Sequence, residues 1–166
     1  MRLLTAFAVG AFLLDQVSKV GVLWGLNLAE RGAVEVFPPF LRFQMAWNRG
    51  INFGLFANHT EFGRFFLIAV AFGVLTAVLW WVRGSKVRPI AKIFAGLLVG
   101  GALGNIVDRL IYGAVVDFLN ISCCGIGNPY AFNIADAAIF IGALGLALSG
   151  PDTGQKPKTP KSNKTP

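Results

Sequence analysis

The chain has 166 residues and carries 15 Lys and Arg against 8 Asp and Glu, a formal net charge of +7. Hydrophobic residues make up 55% and charged ones only 14%, against roughly 25% charged residues in a soluble domain, so an ordinary water-facing surface and extensive disorder are both excluded. The balance is that of an integral membrane protein, and the 20 glycines suit helices that pack closely in lipid.

Four apolar segments, at about residues 3–28, 65–82, 89–110 and 132–149, are each long enough, with little to spare, for a membrane helix of roughly 20 residues. The first holds Asp15 and Lys19, four positions apart on one helical face. They either pair with each other, or Asp15 supports a polar site from behind. Its apolar run continues past Lys19, and no small-residue cleavage site precedes a soluble domain, which argues against a cleaved signal peptide.

Residues 29–64 are more than a linker. Leu41 to Asn48 alternates apolar and polar residues between Pro38-Pro39 and Arg49-Gly50, the pattern of a half-buried strand bounded by turns. A small sheet lying on the membrane face is expected. Its aromatics, Phe37, Phe40, Phe43, Trp47, Phe53 and Phe56, either touch lipid headgroups or a lipidated ligand, or form an interfacial belt.

The second apolar segment is uncharged and ends at a loop with Arg83, Lys86, Arg88 and Lys92 and no acid. In the third, Gly96, Gly100 and Gly104 recur every four residues, a stripe for close helix contact within one chain or between two. Asn105, Asp108 and Arg109 cluster over its last turns, and an Asp108–Arg109 ion pair is expected. Asp117 follows in an apolar run, and Asp136 stands near the start of the fourth segment. The residues beyond 150, with Lys156, Lys158, Lys161 and Lys164 against Asp152, read as a disordered basic tail after a single membrane domain spanning 1–150. Positive loops stay in the cytoplasm. Both termini and the middle loop therefore lie inside, and segments 29–64 and 111–131 face outward.

His59 is the single histidine, and Cys123 and Cys124 are adjacent, so neither a His-rich zinc site nor a structural disulfide between them is expected. The aspartates dominate any acid–base chemistry. The topology puts Asp117 and Asp136 at the same depth near the outer headgroup boundary. Taken singly, Asp117 caps a turn, and Asn133 with Asp136 three residues on makes a helix cap. Taken together, two carboxylates in a weakly hydrated site cannot both ionise easily. One then takes a proton from water while the other, protonated, polarises a carbonyl, which hydrolyses a peptide without metal or covalent nucleophile. No G-x-S-x-G and no G-x-G-D is present.

Asp15-Gln16-Val17-Ser18-Lys19, Asn48-Arg49-Gly50-Ile51-Asn52-Phe53, the run from Gly100 to Arg109, Val115-Val116-Asp117-Phe118 and Phe132-Asn133-Ile134-Ala135-Asp136 resemble, in order, five boxes of the bacterial lipoprotein signal peptidases, or signal peptidase II. The resemblance implies four transmembrane helices with a small β-cradle and a short interfacial helix, at Thr60 to Phe66, on the periplasmic face of the inner membrane. It implies an aspartyl endopeptidase that cuts prolipoproteins just before a diacylglyceryl-modified cysteine, with Asp117 and Asp136 catalytic. Asp15, Asn48, Asn105, Arg109 and Asn133 would position substrate or brace the dyad, with Lys19, Gly104 and Asp108 structural. Lipid-modified prolipoproteins, membrane lipids and a globomycin-type inhibitor are the implied partners, with no cofactor, metal or nucleic acid. Arg49, Ile51, Asn52 and Gly54 depart from the family pattern beside the cradle. A proton-linked transporter using Asp15, Asp108, Asp117 and Asp136 is the rival reading, but three of these crowd one membrane face, whereas a relay needs stations across the full thickness. A non-catalytic assembly subunit is the third, and it leaves the aspartates as caps and ion pairs.

Overall fold

The computed structural model describes residues 1–50, 61–84, 87–122 and 128–149. Helix α1, Arg2–Val20, continues as a π-helical stretch, Gly21–Gly25, and the short helix α2 follows at Leu28–Arg31. Strands β1, Ala33–Phe37, and β2, Leu41–Asn48, precede helices α3, Glu61–Gly84, and α4, Pro89–Tyr112. Strand β3, Val115–Ile121, and helix α5, Ile134–Ser149, complete the order. Among the described residues, Arg2–Gly25, α3 and α4 are each long and apolar enough to cross a membrane. At 24 residues, each spans about 36 Å. Helix α5 is shorter, with 16 residues, and begins two residues later than the pattern suggests.

Helix α4 is the centre of the bundle. Pro89 occupies its first turn and Gly113, at φ 74°, ends it, because proline lacks only a donor that is orphaned there and glycine alone enters the left-handed region freely. A side chain at Gly96 or Gly100 would collide with the Leu4 or Ala8 carbonyl of α1, and one at Gly101 would lie 2.5 Å from the Ala135 carbonyl of α5. The stripe therefore packs within one chain. Rising positions on α4 meet rising positions on α1, so these helices are parallel. Gly142 instead meets Leu98, and Gly145 meets Phe94, so α5 runs antiparallel to α4. Helix α3 fully buries Ile68, Leu75 and Val82, whereas Trp80 on α3 and Leu148 on α5 are 80% and 78% exposed. An apolar exterior of this kind is stable only in lipid.

The strands form one antiparallel sheet, ordered β1-β2-β3, at one end of the bundle. Strand β2 is the one that the alternation predicts. Strand β3, which carries Asp117, has no alternation to announce it, because most of its residues are buried irrespective of face. Val22, Leu28 and Phe118 form the core beneath the sheet, and Phe43 meets Phe118 edge-to-face at 5.4 Å. The pairing shifts register between Phe43 and Ala46, with Phe43 opposite Leu119 and Ala46 opposite Asp117. Two residues of β2 thus oppose one of β3, a bulge.

One expected element is corrected. Residues 61–66 are not a separate interfacial helix but the first turns of α3, continuous to Gly84. Thr60, Phe53, Phe56, His59, Cys123, Cys124 and the tail lie outside the described residues.

Candidate active site

Four chain segments converge where the sheet meets the bundle: the end of β2, the middle of β3, the last turns of α4 and the first of α5. Asn48 and Asp117 share a sheet face because Asn48 pairs with Val115 and Ala46 with Asp117, and side chains two apart along a strand point the same way. Asn48 Nδ2 accordingly donates to Asp117 Oδ2 at 3.0 Å. Asn133 Nδ2 donates to Asp117 Oδ1 at 2.7 Å, and the carboxyl is 2% exposed.

Asp136 lies in the first turn of α5. Its backbone N–H donates to Asn133 Oδ1 at 2.8 Å, and the Asn133 N–H reaches Asp136 Oδ2 at 3.4 Å. These are the reciprocal bonds of a capping box. The capping reading is thus correct, and it coexists with a second role, since the same Asn133 amide holds Asp117. Asn105 Nδ2 donates to Asp136 Oδ1 at 2.8 Å. Asp136 borders a cleft of about 360 Å³ that runs along α5 past Phe132, Ala137, Phe140 and Ile141.

Burial and the adjacent charge of Asp136 push the Asp117 carboxyl up to about 7, against the opposing effects of the Asn48 and Asn133 hydrogen bonds and the more distant Lys19. Desolvation and a like charge both favour the neutral acid. A buried carboxyl thus lies beside a half-buried one, and the buried Asp117 favours its protonated form near neutral pH, a pairing that suits general acid–base chemistry. Arg109 interacts electrostatically with Asp136, Asp117 and Asp108, and its Nη1 donates to the Asn105 carbonyl at 3.1 Å.

Behind the pair is a buried polar cluster. Lys19 lies 2.8 Å from Asp15 Oδ2 and 2.7 Å from Asp108 Oδ2. The expected Asp108–Arg109 ion pair does not form. Adjacent residues on a helix do not face each other, and Asp108 turns to α1 instead. The Asp15–Lys19 pair does form, while Asp15 also accepts the Ala135 N–H at 2.9 Å, supporting the start of α5. Asp108 accepts the Val116 N–H at 3.0 Å, tying α4 to β3. Gly104 leaves room for the Asp15 carboxylate, which would lie 2.5 Å from a side chain there.

Gln16 was not singled out by the sequence reading, yet its Nε2 bonds Asp15 Oδ2 and Asp108 Oδ1, each at 3.1 Å. Its place between Asp15 and Lys19 in the first box was the available signal. Among the described residues, no three His, Cys, Asp or Glu side chains group as metal ligands.

A family model described as Signal peptidase (SPase) II matches residues 7–150. A lipoprotein signal peptidase of Methylobacterium sp. (strain 4-46) is 43% identical over 143 residues, covering 86% of this chain and 85% of the relative. One from Rhodopseudomonas palustris (strain ATCC BAA-98 / CGA009) is 42% identical over 149 residues, covering 88% and 90%. A bacterial membrane enzyme solved by the in meso method at 2.3 Å resolution superposes with a TM-score of 0.73 at 28% identity, covering 93% of this chain and 92% of the other.

Proposed function

The chain belongs to the signal peptidase II family, membrane peptidases that remove signal peptides from prolipoproteins, and we propose that it works as an aspartic endopeptidase cutting just before a diacylglyceryl-modified cysteine. The observation that carries this reading is the Asp117 carboxyl, buried beside Asp136 and pushed up to about 7.

In the proposed mechanism Asp117 holds the proton at rest. Asp136 takes a proton from water as its oxygen attacks the scissile carbonyl, and Asp117 gives its own proton to the carbonyl oxygen. The resulting gem-diol collapses when Asp117 recovers a proton from one hydroxyl. Asp136 then protonates the departing nitrogen as the C–N bond breaks. Both acids return to their starting states. Asn48 and Asn133 orient Asp117, Asn105 orients Asp136, and Arg109 offsets the negative charge that the pair concentrates. Asp15, Lys19 and Asp108 brace the elements that carry them, with Gly104 giving Asp15 its space.

Loop charges orient the molecule. The reading places residues 1–150 as one domain in the bacterial inner membrane, with both termini and the basic tail in the cytoplasm and the dyad near the periplasmic face. The apolar cleft beside Asp136 suits a lipid-borne peptide delivered from the bilayer, and a globomycin-type cyclic peptide is expected to compete for it. No cofactor enters the mechanism.

The test is mass spectrometry of a diacylglyceryl-modified prolipoprotein incubated with the purified protein, beside Asp117→Asn and Asp136→Asn. Cleavage before the lipidated cysteine by the parent alone supports the reaction and the dyad. Full activity in either variant, or none in a folded parent, overturns the assignment.

A further inference from the structure

The Lys19 side chain is buried, and its ammonium has three N–H groups for three acceptors: Asp15 Oδ2 at 2.8 Å, Asp108 Oδ2 at 2.7 Å and Asn105 Oδ1 at 3.2 Å. The two carboxylates already pair its charge. Its third bond goes to the residue whose other end touches the dyad, since Asn105 Nδ2 donates to Asp136 Oδ1 at 2.8 Å.

Resting on the dyad reading above, we propose that Lys19 is a positioning residue for Asp136: its ammonium pins the Asn105 carboxamide oxygen and thereby turns the Asn105 NH2 toward the Asp136 carboxylate. A carboxamide is nearly symmetric in shape, so its two orientations are separated only by what surrounds them. Turned the other way, Asn105 would set its NH2 against the ammonium and its oxygen against Asp136. The same rotation would oppose two NH2 groups, because Asn133 Nδ2 also donates to Asn105 Oδ1, at 3.2 Å. Asn133 alone offers a neutral donor that is shared with Asp117 and the Val116 carbonyl. The charged donor is the stronger one. The chain of contacts runs from α1 through α4 to α5, so the first helix sets the geometry of a carboxylate that it does not touch. Asn105 Oδ1 accepts from both Lys19 and Asn133, so its lone pairs are filled and the amide has one low-energy orientation.

The test is a double-mutant cycle on the full protein in lipid nanodiscs, with kcat and KM measured on a diacylglyceryl-modified prolipoprotein and rates expressed per folded molecule. Lys19→Gln is of similar length and keeps donors for Asp15 and Asp108 while losing the charge and the third donor. Lys19→Met with Asp108→Asn, which removes one charge of each sign, is the second form. Either is expected to lower kcat by about tenfold to a hundredfold, the loss of one hydrogen bond to a charged group, with KM nearly unchanged. Combined with Asn105→Ala, neither is expected to lower kcat further, because the effect passes through Asn105. Additive losses, parental kcat in the Lys19 variants, or failure of both to fold where Asn105→Ala folds would overturn the proposal and leave Lys19 a structural cation. Asp136→Asn run alongside separates the two levels. Retained cleavage there defeats the dyad reading itself, whereas a dead Asp136→Asn with an additive cycle defeats only the positioning role.

Discussion

Asn133 Nδ2 donates to Asp117 Oδ1 over 2.7 Å, although one residue precedes a helix and the other sits in the middle of a strand. The bond exists because Phe132 pairs with Leu119, which brings the entry of α5 back alongside β3. Asn133 is therefore both the cap of α5 and a donor to one acid of the pair.

Replacing Asn133 separates those two tasks. Asn133→Ser keeps an oxygen that can cap α5 but loses the amide donor to Asp117. Asn133→Ala loses both, and removing a cap costs about 1 kcal/mol. The serine variant is expected to melt several degrees above the alanine variant while both cleave at least about tenfold more slowly than the parent. Thermal unfolding and peptide cleavage on the same samples check this.

Asp117 makes stability depend on pH. Its folded pKa is raised from the ordinary 3.8 to about 7, so between those values the folded state binds more protons than the unfolded one. Stability then falls as pH rises through that window. The buried carboxylate costs on the order of 2–4 kcal/mol above it. Asp117→Asn removes the titration, so the drop in Tm between about pH 5 and about pH 8 should be smaller in the variant than in the parent. An equal drop in both proteins would count against the raised pKa.

In the proposed mechanism the same proton governs catalysis. If Asp117 acts as the acid, cleavage should decline as pH rises through about 7. Because the Asp136 charge is a secondary cause after burial, Asp136→Asn should move the Asp117 titration downward without returning it to the ordinary carboxylate range. Infrared spectroscopy of the protonated carboxyl band against pH, in the Asp136→Asn protein, reads this directly.

Close helix packing yields a prediction independent of chemistry. A side chain at Gly100 collides with the Ala8 carbonyl, while nothing lies within 4 Å of one at Gly10. Gly100→Ala is expected to destabilise by about 1–3 kcal/mol. Gly10→Ala should be neutral or slightly stabilising, as alanine is the better helix former. Thermal unfolding in detergent compares them.

The sequence by itself determined the membrane class, the glycine stripe of α4 and strand β2, and it singled out the two aspartates now proposed as the catalytic pair. Each of these shows in local pattern: apolar runs, small residues every four positions, alternation, and short boxes around Asp117 and Asp136. Strand β3 was not legible because its residues are buried on both faces, which erases the alternation that marks a strand. The separate helix at Thr60 to Phe66 came from the resemblance alone, and the structure instead runs Glu61 to Gly84 as one helix. The partner of Asp108 was decided only by tertiary structure. Neighbouring Arg109 is the nearest cation in sequence, yet helical geometry points it elsewhere and the parallel packing of α1 on α4 delivers Lys19 instead. The same packing links Lys19, Asn105, Asn133 and the two aspartates. Hydrogen-bond partners across helices depend on which faces meet, and a single chain's local spacing does not encode that.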